Sequence, residues 1–386
     1  MHTVMSWIKV LSLQIVLLVL FLEVGSFVLS KANLLLVNDT PSVYTASEGS
    51  SAEFHAGRAE EQPWGAWRAP NAVYRHFKSC FDVEISTNEI GARDASFSDL
   101  VGSSIFLIGD SFAEGFGVAY HDTSQYLLEQ KLDKNILNFG SAGDFGPLQE
   151  LLIYHAYKEK YPHDGVLVYI LPANDFMDND ANVWKEKGES ARTRYRPYFS
   201  EGEDPLIPWY FPAAEKRSDS LRIDARPRVF SVASLKTFVV DHLWMSNVLR
   251  SIKLLLSGEA KFGFASQSQY YDSELYQQKK FIQAYSKLVD LAANKGVLFV
   301  VIPDAQDIRR FLTDPDPSSY KKQFWYQGLS DLAAKSNVAL LDLMDHVPES
   351  YNQLFLSCDG HWSPRGNMWA ADIIEKYLSD NPVLSR

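Results

Sequence analysis

The sequence predicts an α/β fold, a doubly wound parallel sheet between helical layers, on three observations. Apolar runs of strand length recur at Ile105–Ile108, Ile136–Phe139, Val166–Leu171, Val297–Ile302 and Val338–Leu343. Helical-looking segments alternate with them, and strands alternating with helices argue a parallel sheet. The 386 residues are 46% hydrophobic and 22% charged, enough apolar side chain for a sizeable core.

The chain opens on an apolar segment. Val10 to Leu22 has only Ser12 and Gln14 as polar residues; Glu23 interrupts, and Val24 to Ser30 continues. The span is close to the roughly 20 residues that a membrane helix needs. Glu23 would cost up to about 3 kcal/mol at the bilayer centre and less toward an interface. Two readings stay open. Residues 1–32 are an uncleaved anchor, or they are a signal peptide cut near Ser30-Lys-Ala32 and the chain is secreted. The anchor is the expectation, with Lys9 left on the cytoplasmic side and the rest exported.

Residues 33–100 read as a lead-in. A stalk rich in small polar residues (Thr45-Ala-Ser-Glu-Gly-Ser-Ser51) gives way to Trp67, Tyr74, Phe77 and Phe81. Alternation in Phe81-Asp-Val-Glu-Ile85 predicts a β-ribbon. The main domain is expected over residues 101–380. Its first strand, Ile105–Ile108, stops at Gly109-Asp-Ser111, and Thr123–Leu132 reads as a helix. Ile136–Phe139 ends in Gly140-Ser-Ala-Gly143, and Pro147–Glu159 reads as a helix with proline in its first turn. Val166–Leu171 ends in Pro172-Ala-Asn-Asp175.

The pattern then breaks. Residues from about 183 to 271 are polar and rich in Arg, Pro and Trp, an insertion over the sheet edge. A helix around Val239–Leu256 is expected to pack Trp244, Met245, Leu249 and Ile252 against the domain, with membrane contact as the alternative. Alternation resumes with a helix at Glu274–Asn294, the fourth strand, a helix at Ser319–Lys335 and the fifth strand. Asp359-Gly-His361-Trp-Ser-Pro-Arg-Gly366 precedes a last helix to about Leu378.

Composition excludes some function classes. A net charge of −11 argues against a nucleic-acid partner, because no basic patch is available to neutralise phosphates. Cys80 and Cys358 lack CxxC spacing, which argues against a zinc or thioredoxin-like site; no metal-ligand cluster is visible and no cofactor is called for. In an oxidising compartment the two cysteines could pair, but their distance is not readable from sequence.

Serine-based ester chemistry needs a nucleophile, a base, a carboxylate to orient the base, and donors for the oxyanion. Each strand-end loop supplies a candidate. Ser111 follows the first strand, at the carboxyl edge where open α/β sheets bind ligands. Gly143 could present a backbone N–H, Asn174 a side-chain amide, and His361 a base with Asp359 beside it. Alone, Gly-Asp-Ser reads equally well as a strand-ending turn. With nine histidines in the chain, an isolated Asp-x-His is weak as well.

The four blocks in order, Gly109-Asp-Ser111, Asn138-Phe-Gly-Ser-Ala-Gly143, Asn174-Asp175 and Asp359-Gly-His361, resemble the SGNH, or GDSL-type, hydrolase superfamily. The resemblance covers residues 100–180 and 275–380. Two positions depart from it: Pro172-Ala173 stands where many members have glycine, and Cys358 stands where many place the acid. The Asp-x-His-Trp form and Thr87-Asn-Glu-Ile-Gly-Ala-Arg-Asp94 look like the membrane-anchored branch that contains periplasmic alginate O-acetyltransferases.

The resemblance implies a flavodoxin-like three-layer α/β/α fold with a central parallel sheet. It implies Ser111, Asp359 and His361 as catalytic residues, with Ser111, Gly143 and Asn174 as the oxyanion hole. Asp110 and Asp175 would organise loops. The implied activity is a serine esterase removing acyl groups, acetyl above all, from a carbohydrate, at the periplasmic side of a bacterial inner membrane. An O-acyltransferase of an exopolysaccharide or envelope glycan is the alternative, and a non-catalytic scaffold among polysaccharide-modification partners is a third. Trp184, Trp209, Tyr210 and Trp244 are candidates to touch a glycan and could equally be core.

Overall fold

The computed structural model describes residues 2–31, 43–46, 55–56, 62–65, 67–78, 80–100, 102–143, 145–186, 196–200, 204–211, 243–257, 268–335 and 337–385. Much of the expected stalk and insertion lies outside the described residues.

The lead-in forms β1 (Val43–Ala46), β2 (His55–Ala56), β3 (Trp67–Arg68), β4 (Val73–Lys78) and β5 (Phe81–Ser86). β4 and β5 are an antiparallel hairpin that β1 extends, as the alternation at Phe81–Ile85 predicts. The central sheet holds β6 (Ser104–Ile108), β7 (Asn135–Asn138), β8 (Gly165–Ile170), β9 (Gly296–Val301) and β10 (Val338–Asp342). All its pairings are parallel, in the order β10-β9-β8-β6-β7. β6, β8 and β9 are buried along their whole length. Continuous apolar runs are what two covered faces require.

The helices are α1 (His2–Lys31), α2 (Ser111–Glu114), α3 (Ser124–Leu132), α4 (Pro147–Tyr157), α5 (Pro172–Asp178), α6 (Ala181–Glu186), α7 (Met245–Ser257), α8 (Gln269–Asp272), α9 (Leu275–Ala292), α10 (Ala305–Thr313), α11 (Phe324–Ala333) and α12 (Pro364–Asp380). Side-chain alternation on β6 sends Phe106 and Ile108 to one layer and Ile105 and Leu107 to the other. The first layer is closed by Leu148 and Leu151 of α4, Phe281 and Tyr285 of α9, and Trp325 of α11. The second is closed by Leu128 of α3 and by Ala370 and Ile374 of α12. Each large apolar side chain buried this way contributes about 1.5–3 kcal/mol.

Strand order reverses between β6 and β8. Crossovers leave the central strands in opposite directions there, which opens a crevice at their carboxyl ends. Ser111 and Asn174 follow these two strands.

Local differences from the sequence reading have physical causes. The helix expected over Ser319–Lys335 is a 3-10 turn, Ser319–Lys322, followed by α11. The chain is extended at Gln323 so that Tyr320 can reach Asp342 (2.8 Å) while Trp325 enters the core. Two helices stand where loops were read. α5 starts at Pro172, with proline in the first turn. α10 starts from an Asp304/Asp307 capping box, a signal present in the sequence. The helix expected at Val239–Leu256 is described only from Met245, and residues 212–242 lie outside the described residues.

Candidate active site

Ser111 opens α2. Its neighbour Asp110 is the N-cap, and the Asp110 carboxylate accepts from the Phe112 N–H at 2.9 Å. Ser111 is thus the first residue of a helix, where backbone N–H groups have no intrahelical partner. Gly109 lets β6 end tightly against β8: a Cβ there would lie 2.8 Å from Tyr169 Cβ.

His361 arrives from the other end of the chain. It sits between β10 and α12, in a loop held by Leu356 N–H donating to the His361 carbonyl at 2.9 Å. Its Nε2 lies 2.6 Å from Ser111 Oγ, across 250 positions of sequence. Its Nδ1 contacts Asp359 Oδ1, which also accepts from the His361 backbone N–H at 3.1 Å. The imidazole stacks on Phe116, centroids 4.0 Å apart, with Phe112 at 5.1 Å. It stays 23% exposed, so one edge is open to a ligand.

Asp359 has a second partner that the sequence did not announce. Lys78 Nζ, from the end of β4, pairs with Asp359 Oδ2, and both side chains are buried. Burial alone would raise the Asp359 carboxyl. The His361 hydrogen bond and charge, then Lys78, outweigh it and hold the carboxyl well below the usual carboxylate range. The hairpin carrying Lys78 is tied to the histidine loop by a Cys80–Cys358 disulfide, which settles the pairing left open above. The bond closes a loop across 278 positions and sits one residue from Asp359. His76, also on β4, packs edge-on against Phe81 and Phe116 at 4.7 and 4.6 Å. Burial, then the Arg93 charge, pushes its pKa down to about 3, so a neutral ring backs the phenyl ring stacked on His361.

The opposite flank of Ser111 is built from the sheet edge. Asn174 lies in the first turn of α5, and its Nδ2 donates to Asp110 Oδ2 at 3.3 Å. That bond turns the amide's hydrogens toward the Ser111 loop. Asp110 therefore organises two elements at once. Burial raises its pKa to about 6. Asp175 also organises a loop, accepting from the Leu171 N–H at 2.7 Å, and burial raises its pKa too.

Gly143 adopts φ +97°, a conformation that favours glycine. Its carbonyl accepts from Arg196 Nη2 at 3.1 Å, and the guanidinium lies 3.8 Å from the Trp184 ring centroid. Arg68 Nη2 donates to the Gly140 carbonyl at 2.9 Å while Nη1 pairs with the buried Glu114 at 2.7 Å. Glu114 in turn accepts from the Ala142 N–H. The loop carrying Gly143 is thus clamped from both sides. Arg93, from the Thr87–Asp94 motif, donates to the Glu114 and Val118 carbonyls at 3.1 and 2.6 Å and closes the turn after α2.

The structure therefore brings Ser111, His361 and Asp359 into one contact chain and sets Asn174 beside it through Asp110. Sequence reasoning missed Lys78, Arg68, Glu114, Phe116 and Arg196, none of which has a local signature. The four aromatics named for glycan contact or core take different places. Trp184 is buried beneath Arg196, and Tyr210 is tied to the Pro63 carbonyl. Trp244 packs on Phe27 of α1. Trp209 is 37% exposed.

No family model matches the chain, and no curated protein matches it. Solved structures do. A lipolytic protein of the G-D-S-L family from Desulfitobacterium hafniense DCB-2 is 11% identical, with a TM-score of 0.37 over 71% of this chain and 99% of its own. A carbohydrate esterase family 2 enzyme with a carbohydrate-binding domain, from Corynascus thermopiles (Myceliophthora fergusii), is 9% identical, with a TM-score of 0.40 over 89% and 91%. A salicylyl-acyltransferase from a tetracycline biosynthetic pathway is 11% identical, with a TM-score of 0.36 over 74% and 57%.

Proposed function

We propose that this chain is an SGNH-type serine ester hydrolase that removes acyl groups, acetyl in particular, from a carbohydrate. The observation that carries the reading is the unbroken contact chain Ser111 Oγ, His361 Nε2, His361 Nδ1, Asp359 Oδ1. Ser111 attacks the ester carbonyl as His361 Nε2 takes its proton. Asp359 keeps the other proton on Nδ1 and stabilises the imidazolium. The Ser111 and Gly143 N–H groups and the Asn174 amide receive the oxyanion. The C–O bond to the sugar breaks, and His361 returns its proton to the leaving hydroxyl. Water, activated by the same His361, then releases the acid. The carbohydrate is assigned by the resemblance of the Asp-x-His-Trp block to the O-acetyltransferase branch.

The N-terminal segment is read as a retained anchor. Span Lys9–Leu29 is long and apolar enough to cross a membrane. Its Glu23 carboxylate accepts from the Trp244 and Met245 N–H groups at 2.6 and 3.1 Å. A segment that caps a helix of the exported part has a structural reason to remain. The catalytic domain is then held at the outer face of that membrane.

The test is acetate release from a chromogenic acetyl ester by the full chain in detergent. Ser111→Ala should lower kcat by about 10⁴ or more. Turnover that survives this substitution overturns the reading. Acetyl transfer to an added oligosaccharide in preference to water would replace hydrolase by transferase.

A further inference from the structure

Helix α7 packs on α1, and among its described side chains the polar ones turn inward. Ser246, Asn247 and Ser251 are buried, whereas Leu249 and Ile252 are 55% and 45% exposed. A surface helix of a water-soluble domain turns its apolar stripe the other way. The start of α7 is fastened to α1. Glu23 receives the Trp244 and Met245 N–H groups, and the Phe27 and Trp244 rings meet edge to face at 5.3 Å. A carboxylate at a helix start fills backbone donors that have no partner within the helix and meets the positive end of its dipole.

We propose that α7 is an interfacial membrane helix. It lies along the bilayer surface beside α1, with Leu249 and Ile252 directed to the acyl-chain boundary and Glu23 as its pin. The proposal rests on the reading of α1 as a retained anchor. Depth argues for lipid as the occupant. Glu23 lies six residues before Leu29, the end of the apolar span. At 1.5 Å per residue that is about 9 Å below the surface. Interfacial helices bury their apolar faces by about 5–10 Å. Leu249 and Ile252 also continue an apolar surface of α1, where Leu22, Val24 and Val28 are exposed around the same turns. Glu23, otherwise costly in such a span, becomes a cap at the one depth where a second helix can lie beside it.

The experiment uses the full chain in phosphatidylcholine vesicles. Both native cysteines are in the disulfide, so Leu249→Cys supplies the reactive thiol for an environment-sensitive nitrobenzoxadiazole label. Leu312→Cys, exposed on α10, is the aqueous control. The label at 249 should emit at shorter wavelength than at 312 and be quenched several-fold more by shallow doxyl-lipid. Adding Glu23→Ala should bring it toward the control. A label at 249 that iodide quenches as it does the control, or a blue-shifted label that doxyl-lipid leaves unquenched, overturns the proposal. Vesicle flotation and intact mass separate the two failures. A shortened chain that does not float removes the anchor reading and this proposal with it. A full-length floating chain with either adverse label result removes this proposal alone.

Discussion

On one side of Ser111, His361 and Asp359 are held by charge and by covalent chemistry: Lys78 pairs with Asp359, and a disulfide one residue away ties its loop to a β-hairpin. On the other side, Asn174 and Gly143 sit on the ends of the sheet. They are oriented by hydrogen bonds to buried groups, Asp110 and Arg196. The acid–base flank keeps a depressed carboxyl beside an ammonium. The flank proposed for the oxyanion rests on carboxyls that burial pushes up. A proton shuttle needs a fixed negative charge at Nδ1. The two environments shift carboxyl titration in opposite directions: charged partners lower Asp359, and burial raises Asp110 and Asp175.

The largest expected effect breaks the acid–base flank. Asp359→Asn should lower kcat/KM by about 10⁴, because the amide no longer selects the imidazole tautomer. The same substitution should change stability against pH. A depressed carboxyl contributes stability above its unfolded pKa of about 3.9 and loses it as pH falls toward the folded value. Urea midpoints measured from pH 6 down to pH 3 should therefore fall more steeply in the parent than in the Asn variant.

Next comes the oxyanion flank. Asn174→Ala should cost about 10²–10³ in kcat with KM little changed, because the donor is used mainly in the transition state. Steady-state kinetics on the chromogenic ester would check this, and an equal loss in binding of ground-state substrate would count against it.

The smallest effect sharpens the contrast. Lys78→Met should lower kcat/KM by about 10-fold and move the acidic limb of its pH profile to higher pH. Without the ammonium, Asp359 holds the imidazolium more strongly. Lys78→Arg should restore the limb. A uniform loss at every pH would make Lys78 a packing residue only.

The two flanks also differ in how far they were legible in sequence. Gly143 and Asn174 could be placed because each follows an apolar strand, and parallel strands bring their ends to one edge. Ser111 and His361 could be paired through the order of four blocks. Lys78 and Cys80 belong to a hairpin outside the main sheet, and no periodicity says where that hairpin docks. Arg68, Glu114 and Arg196 look in sequence like ordinary surface charges, and only their buried bonds, the arginines to loop carbonyls and Glu114 to Arg68 and the Ala142 N–H, reveal them as clamps. Of the four aromatics that composition flagged, Trp184 is buried beneath Arg196, whereas Trp209 stays exposed.

The alternation of strands and helices, the carboxyl edge as the place to look for a site, and the apolar N-terminal span were all readable in the sequence alone. These follow from local periodicity and from turn chemistry, which act over a few residues. The tertiary structure alone decided that Cys80 pairs with Cys358, that Lys78 completes the Asp359 environment, that Arg196 holds Gly143, and that Glu23 caps α7. Each joins residues dozens to hundreds of positions apart. Such contacts form only where the packed layers bring distant backbone together, and no local pattern encodes that distance.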